Sequence, residues 1–214
     1  MTHCLKFASL LALCSLVACR SPYHALRPSA GHASTALRFR PAFTRELYRC
    51  TVDGHFLLKK FHISGLLLFR AMPDSSTRVV FQNEMGFSFF DFSWDRNNNF
   101  SVKQIIPQLN KPAVIRTLEQ DLRFLLMKGL TESDEQHFTA SPETYHRFPQ
   151  GKGYVWYVEE EGLLKRIEYA GRRKITTIVP SGASRPPFMP EAVLFRHHKA
   201  RFTIQLQKIS DATE

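Results

Sequence analysis

From residue 45 onward the chain reads as short runs of β-branched and aromatic residues separated by turns of a few residues. Connections that short make consecutive strands pair antiparallel, because a parallel return needs a crossover of a dozen residues or more. Residues 47–52, 62–70, 78–83, 87–94 and 100–106 form the first five runs. Between them lie Pro73-Asp74-Ser75-Ser76, Glu84-Met85-Gly86 and Asp95-Arg96-Asn97-Asn98-Asn99, each with turn chemistry. Strands resume at 154–159 and 163–169 across a Glu-Glu-Gly turn, then at 174–179. A last hairpin, 192–195 with 201–209, turns around His197-His198-Lys199. In its second strand Phe202, Ile204 and Leu206 alternate with Thr203, Gln205 and Gln207, so one face is buried and one is wet.

One helix interrupts the strands. Pro112 suits a first helical position, with Asn110 or Lys111 as cap, and Gly129 ends the segment. Val114, Ile115, Leu118, Leu122, Leu125 and Leu126 recur at helical spacing, with Arg116, Glu119, Gln120 and Arg123 opposite. Residues 131–148 are polar and poorly patterned, with room for a second short helix. The fold class expected is α+β, mainly antiparallel β: roughly ten strands in one sheet with a helix inserted mid-chain. A strongly twisted sheet of that size curls. The runs from Ile63 to Trp94 are apolar on both faces, Leu67 and Phe69 opposing Leu66 and Leu68, and Phe89 opposing Phe90 and Phe92. One face therefore packs on the helix, and the other must be covered or hold something greasy.

The N-terminus carries an address. Lys6 precedes an apolar run over residues 7–16, too short to span a bilayer, followed by Leu16-Val17-Ala18-Cys19. The segment resembles the lipobox of bacterial lipoproteins, in which that cysteine receives lipid and becomes the mature N-terminus. Three regions follow: a signal peptide at 1–18, a lipidated basic tether at 19–44 and a folded domain at 45–214. The tether holds Arg20, Arg27, Arg38 and Arg40, three prolines and no acid, with a short helix expected at 34–39. Export leaves Cys50 as the one cysteine outside the signal and anchor, a buried small apolar residue without a disulfide partner. The formal net charge of +10 suits an anionic membrane surface or simple solubility. Export argues against nucleic acid, and no binding signature for it is present.

Catalytic and cofactor signatures are missing: no Gly-x-Ser-x-Gly elbow, no phosphate-binding glycine loop, no His-Glu-x-x-His. His197 and His198 are neighbours on a hairpin tip, read as a solvated turn and a poor metal pair, since adjacent strand residues point to opposite faces. Glu159, Glu160 and Glu161 read as another solvated turn, and Asp91 and Asp95 as surface. No enzyme activity, cofactor or metal is expected.

The order of elements resembles the bacterial lipoprotein-localisation (LolA/LolB-like) superfamily. The resemblance rests on Gly65-Leu66-Leu67-Leu68-Phe69-Arg70, on residues 78–86, on Tyr154-Val155-Trp156-Tyr157-Val158, and on Met189-Pro190-Glu191-Ala192-Val193-Leu194 with 201–209. It implies an unclosed half-barrel whose concave, apolar face is capped by helix. Glu84 stands where the receptor of that superfamily has proline, Met85 where it has an exposed leucine, and Ile209 where an aromatic often closes the last strand.

By the resemblance, the protein is an outer-membrane lipoprotein anchored through Cys19, facing the periplasm, that binds acyl chains and takes part in lipoprotein or lipid delivery. Its partners would be membrane lipid, acylated cargo and a periplasmic carrier. Cavity-lining or lid residues are expected among Leu67, Phe69, Phe89, Phe92, Leu118, Leu122, Leu125 and Trp156. Met85 is the expected membrane or cargo contact. The alternative is an accessory envelope lipoprotein with a closed core that binds another envelope protein.

Overall fold

A computed structural model describes residues 23–29, 34–56, 59–171, 173–183, 187–200 and 202–209. The signal peptide and Cys19 lie outside these residues. Thirteen strands, not about ten, form one antiparallel sheet: β1 (Arg27–Pro28), β2 (Arg45–Phe56), β3 (Lys59–Ala71), β4 (Thr77–Gln82), β5 (Ser88–Trp94), β6 (Phe100–Ile105), β7 (Gln136–Ala140), β8 (Glu143–Gln150), β9 (Gly153–Glu160), β10 (Leu163–Ala170), β11 (Lys174–Ala183), β12 (Met189–His197) and β13 (Phe202–Lys208). Helix α1 spans Pro112–Leu125 between β6 and β7. The order across the sheet is β1-β7-β8-β9-β10-β11-β12-β13-β2-β3-β4-β5-β6. Every consecutive pair with a short connection is antiparallel, and the sheet stays open, with β1 and β6 at its edges. The segment containing α1 therefore carries the chain from the β6 edge to the opposite side.

That topology forces curvature. Strands lie about 4.8 Å apart, so thirteen laid flat would span roughly 58 Å, whereas a helix is about 10–12 Å across. Yet Leu122, Phe124 and Leu125 of α1 share one core cluster with Leu67, Phe81 and Phe92 from one half of the sheet and Tyr157, Ile167 and Phe195 from the other. Tyr157 donates a buried hydrogen bond to the Phe124 carbonyl at 2.8 Å. One helix meets both halves because the sheet curls around it.

Pro112 opens α1 as expected, after Lys111, which makes no side-chain cap. The end differs. Met127 adopts φ 51°, its amide donates to the Phe124 carbonyl, and Lys128 donates to the Arg123 carbonyl at 3.0 Å. This is a Schellman closure with methionine at the left-handed position, ahead of Gly129. Left-handed backbone costs a non-glycine residue about 1–2 kcal/mol, and burying the Met127 side chain, 1% exposed, offsets it.

The second short helix in residues 131–148 is present as a 3-10 helix at Glu132–Asp134, but most of the segment forms strands β7 and β8, which is another correction. The region expected to be tether is partly folded as well. Tyr23 stacks on Trp156 with ring centroids 4.2 Å apart, and β1 pairs with β7. Ala36–Phe39 form a 3-10 helix whose Ala36 and Phe39 are buried. Tyr145 and Trp156 belong to one cluster with Tyr23, and Phe148 to the main core. Because Tyr145 and Phe148 point to opposite faces of β8, the N-terminal segment wraps the β7 edge and packs on both faces of the sheet.

Candidate functional site

Beneath α1 lies a cavity of about 380 Å³. Strand alternation supplies its walls: Cys50 and Val52 from β2, Phe61, Ile63 and Leu67 from β3, and Phe202, Ile204 and Leu206 from β13. Phe81, Phe90 and Phe195 complete the sheet side. The helix adds Val114, Leu118, Asp121 and Leu122, at positions i, i+4, i+7 and i+8 of one face. His55, Phe61 and Ala200 are exposed lining residues and so mark the opening.

Three of the residues expected at a cavity line this one: Leu67, Leu118 and Leu122. Phe69, Phe92 and Leu125 are buried in the core without reaching it. Phe89 is partly buried beside the core, at a bulge where Phe81 pairs with Phe90 and Gln82 with Ser88, which leaves Phe89 unpaired. Trp156 packs in the second cluster, on the opposite face of the sheet.

The cavity wall holds one acid that pattern reading overlooked. Asp121 is 2% exposed, and its Oδ2 lies 2.8 Å from Nε2 of His197. His197 is buried rather than solvated: Thr176 Oγ1 lies 3.3 Å from Nδ1, and Phe202 stacks on the ring at 3.9 Å. Burial pushes the Asp121 carboxyl up, against the hydrogen bond and charge of His197. The helical pattern itself contained the signal, since Asp121 falls on the apolar stripe seven residues after Val114. His198 points to solvent and meets Thr177, as alternation requires. Cys50 has no ionised role, because burial raises its thiol to about 12.

Two other acids expected at the surface are paired. Asp91 is 7% exposed and forms an ion pair with Arg78. Glu159 meets both Arg38 and His146 instead of standing in a solvated turn.

A second apolar feature lies at the β4–β5 hairpin. Asn83 Oδ1 accepts from the amides of Met85 at 3.0 Å and Phe87 at 2.8 Å, and Gly86 takes φ 84°. This closed turn holds Met85 out, 92% exposed, with Phe87 58% exposed beside it. Phe87 meets Phe89 edge-on at 6.2 Å, and Phe89 meets Phe81 of the cavity wall at 4.8 Å. A row of rings thus joins the exposed tip to the cavity. Among the described residues, no helix is long and apolar enough to cross a membrane.

No family model matches the chain, and no curated protein matches its sequence. The solved structures to which the chain shows a likeness include two at low identity. One, from Vibrio parahaemolyticus, is a domain named for outer membrane lipoprotein sorting. It is 7% identical with a TM-score of 0.44, the match covering 80% of this chain and 86% of that one. The other is a DUF1329 family protein from Desulfovibrio piger, 6% identical with a TM-score of 0.40, covering 81% of this chain and 88% of that one.

Proposed function

We propose that this protein binds acyl chains in the cavity beneath α1 and passes lipid or lipoprotein cargo to the outer membrane, where it is itself anchored through Cys19, facing the periplasm. The observation that carries the reading is the cavity. It is a preformed, open-mouthed space whose walls are apolar apart from a few groups such as Asp121, Thr117 and His55. Each methylene withdrawn from water contributes about 0.8 kcal/mol. Ten would contribute about 8 kcal/mol, micromolar binding before ordering costs. Transfer then follows from differential affinity between protein and bilayer and breaks no covalent bond.

A fluorescent lipopeptide titrated into the full chain in detergent tests the binding step. Saturable uptake, displaced by an unlabelled diacyl lipopeptide and not by its unacylated form, is the expected result. Equal indifference to both peptides overturns the reading and favours the accessory lipoprotein with a closed core.

Delivery makes a separate demand on Met85. An exposed apolar side chain on a closed hairpin tip can enter the headgroup region of a bilayer. Met85→Glu should shift stability by no more than about 0.5 kcal/mol, since the site is exposed. It should slow transfer of bound lipopeptide to liposomes while leaving binding unchanged. Full transfer by a stable variant removes Met85 from the mechanism.

A further inference from the structure

Away from the cavity, three potential ligands converge where the N-terminal segment wraps the sheet edge. Glu135 is the residue just before β7, and His137 is the second residue of that strand. His146 of β8 pairs directly with His137. One ligand atom from each of the three lies within 4.8 Å of the other two. Oε1 of Glu135 is 2.7 Å from Nδ1 of His146 and 3.9 Å from Nδ1 of His137. Around a tetrahedral zinc with bonds of about 2.0–2.1 Å, ligand atoms sit roughly 3.3 Å apart. The distances observed, 2.7 and 3.9 Å, lie on either side of that spacing.

Three further observations separate this cluster from a chance meeting of polar groups. Nδ1 of His137 is buried without a hydrogen-bond partner among the described residues, and an orphaned buried nitrogen needs an explanation. His146 is fully buried, and its other nitrogen, Nε2, lies 3.1 Å from Oε2 of Glu159, itself paired with Arg38. A carboxylate behind a histidine is the arrangement that fixes the ring and raises its basicity toward a metal. Glu135 is likewise held in place, Oε1 accepting from the Ala36 amide at 2.9 Å and Oε2 from the Thr35 hydroxyl.

We propose that Glu135, His137 and His146 bind a divalent transition metal, with zinc the best match. Two imidazoles and one carboxylate suit zinc, whereas magnesium and calcium prefer an all-oxygen shell. The ion would take the lone pair of His146 Nδ1, with the ring's proton on Nε2, where Oε2 of Glu159 accepts it. His137 is the most exposed of the three side chains, at 22%, and water would complete the shell. Bound metal would tie β7 and β8 together, and through Glu135 would hold Thr35 and Ala36 at the entry to the 3-10 helix. The inference is independent of lipid binding.

The test is a calorimetric titration of zinc chloride into the chelator-stripped full chain in detergent, beside His137→Ala. Among the described residues His137 makes no hydrogen bond through Nδ1, and it is partly exposed, so this variant should melt with the wild type. His137→Phe, which keeps the ring volume, is the second variant should alanine loosen the edge. The wild type is expected to take up one zinc at this site. Loss of a direct ligand should weaken binding at least as much as loss of an outer partner, by about 100-fold or more. No uptake by the wild type overturns the proposal, as does equal uptake by the wild type and a folded variant, which would place zinc on other histidines.

Discussion

His197→Leu is expected to destabilise the fold by about 3–5 kcal/mol, because it strands the Asp121 carboxylate in an apolar wall. At about 2–4 °C per kcal/mol for a chain of this length, the melting temperature should fall by roughly 10 °C. Asp121 and His197 are both nearly inaccessible, and Oδ2 of the one lies 2.8 Å from Nε2 of the other. Removing one partner is costly, whereas replacing both with apolar groups can be close to neutral. Asp121→Leu added to His197→Leu should therefore recover most of the loss. The cycle also has a pH signature. In His197→Leu the buried carboxyl is pushed above its unfolded value, so the folded state binds its proton more tightly. The variant is then least impaired below about pH 4 and loses ground as pH rises through the raised value. Chemical denaturation of the three variants at several pH values measures this. A cost below about 1 kcal/mol for His197→Leu, flat with pH, would contradict the pair as described.

Leu122→Asp should be similarly damaging. Leu122 is 5% exposed and serves both the core and the cavity wall. A carboxylate there has no partner and adjoins Asp121 in sequence, and burying it should cost about 3–5 kcal/mol. Leu122→Met keeps the volume and should cost less than about 1.5 kcal/mol. An unchanged melting temperature for the aspartate variant would reject the packing of this helix face over the sheet.

How far the sequence revealed this fold depended on what fills the inward positions of each strand. In β13 those positions are Phe202, Ile204 and Leu206, and simple alternation was enough to recognise them. In β3, β4 and β5 the tight turns and aromatic runs made antiparallel neighbours legible. Pro112 and the leucine stripe gave α1 to within a few residues. β7 was missed for a physical reason: of its residues Gln136, His137, Phe138, Thr139 and Ala140 only Phe138 is large and apolar, so no apolar period marks the strand. β1 has two residues and exists because β7 offers an edge, a fact no local pattern holds. The cavity followed the same logic. Leu67, Leu118 and Leu122 lie on faces that periodicity identifies, while Phe69 and Leu125 satisfy the same periodicity and are spent on core packing. Which apolar side chain meets empty space depends on sheet curvature, and that is set by contacts far apart in sequence. Asp121 was visible as an acid on an apolar stripe, but its partner lies 76 residues away on β12.

Native mass spectrometry of the protein released gently from its membrane bears most directly on the claim that the cavity holds acyl chains. The wild type is predicted to carry mass additional to its own anchor, matching lipids or acylated cargo, and to lose it on delipidation. Leu118→Trp, which fills the cavity from the helix side with an apolar ring, should fold and carry little of that mass. A wild type free of acyl cargo, or a folded Leu118→Trp that retains it in full, would contradict the account.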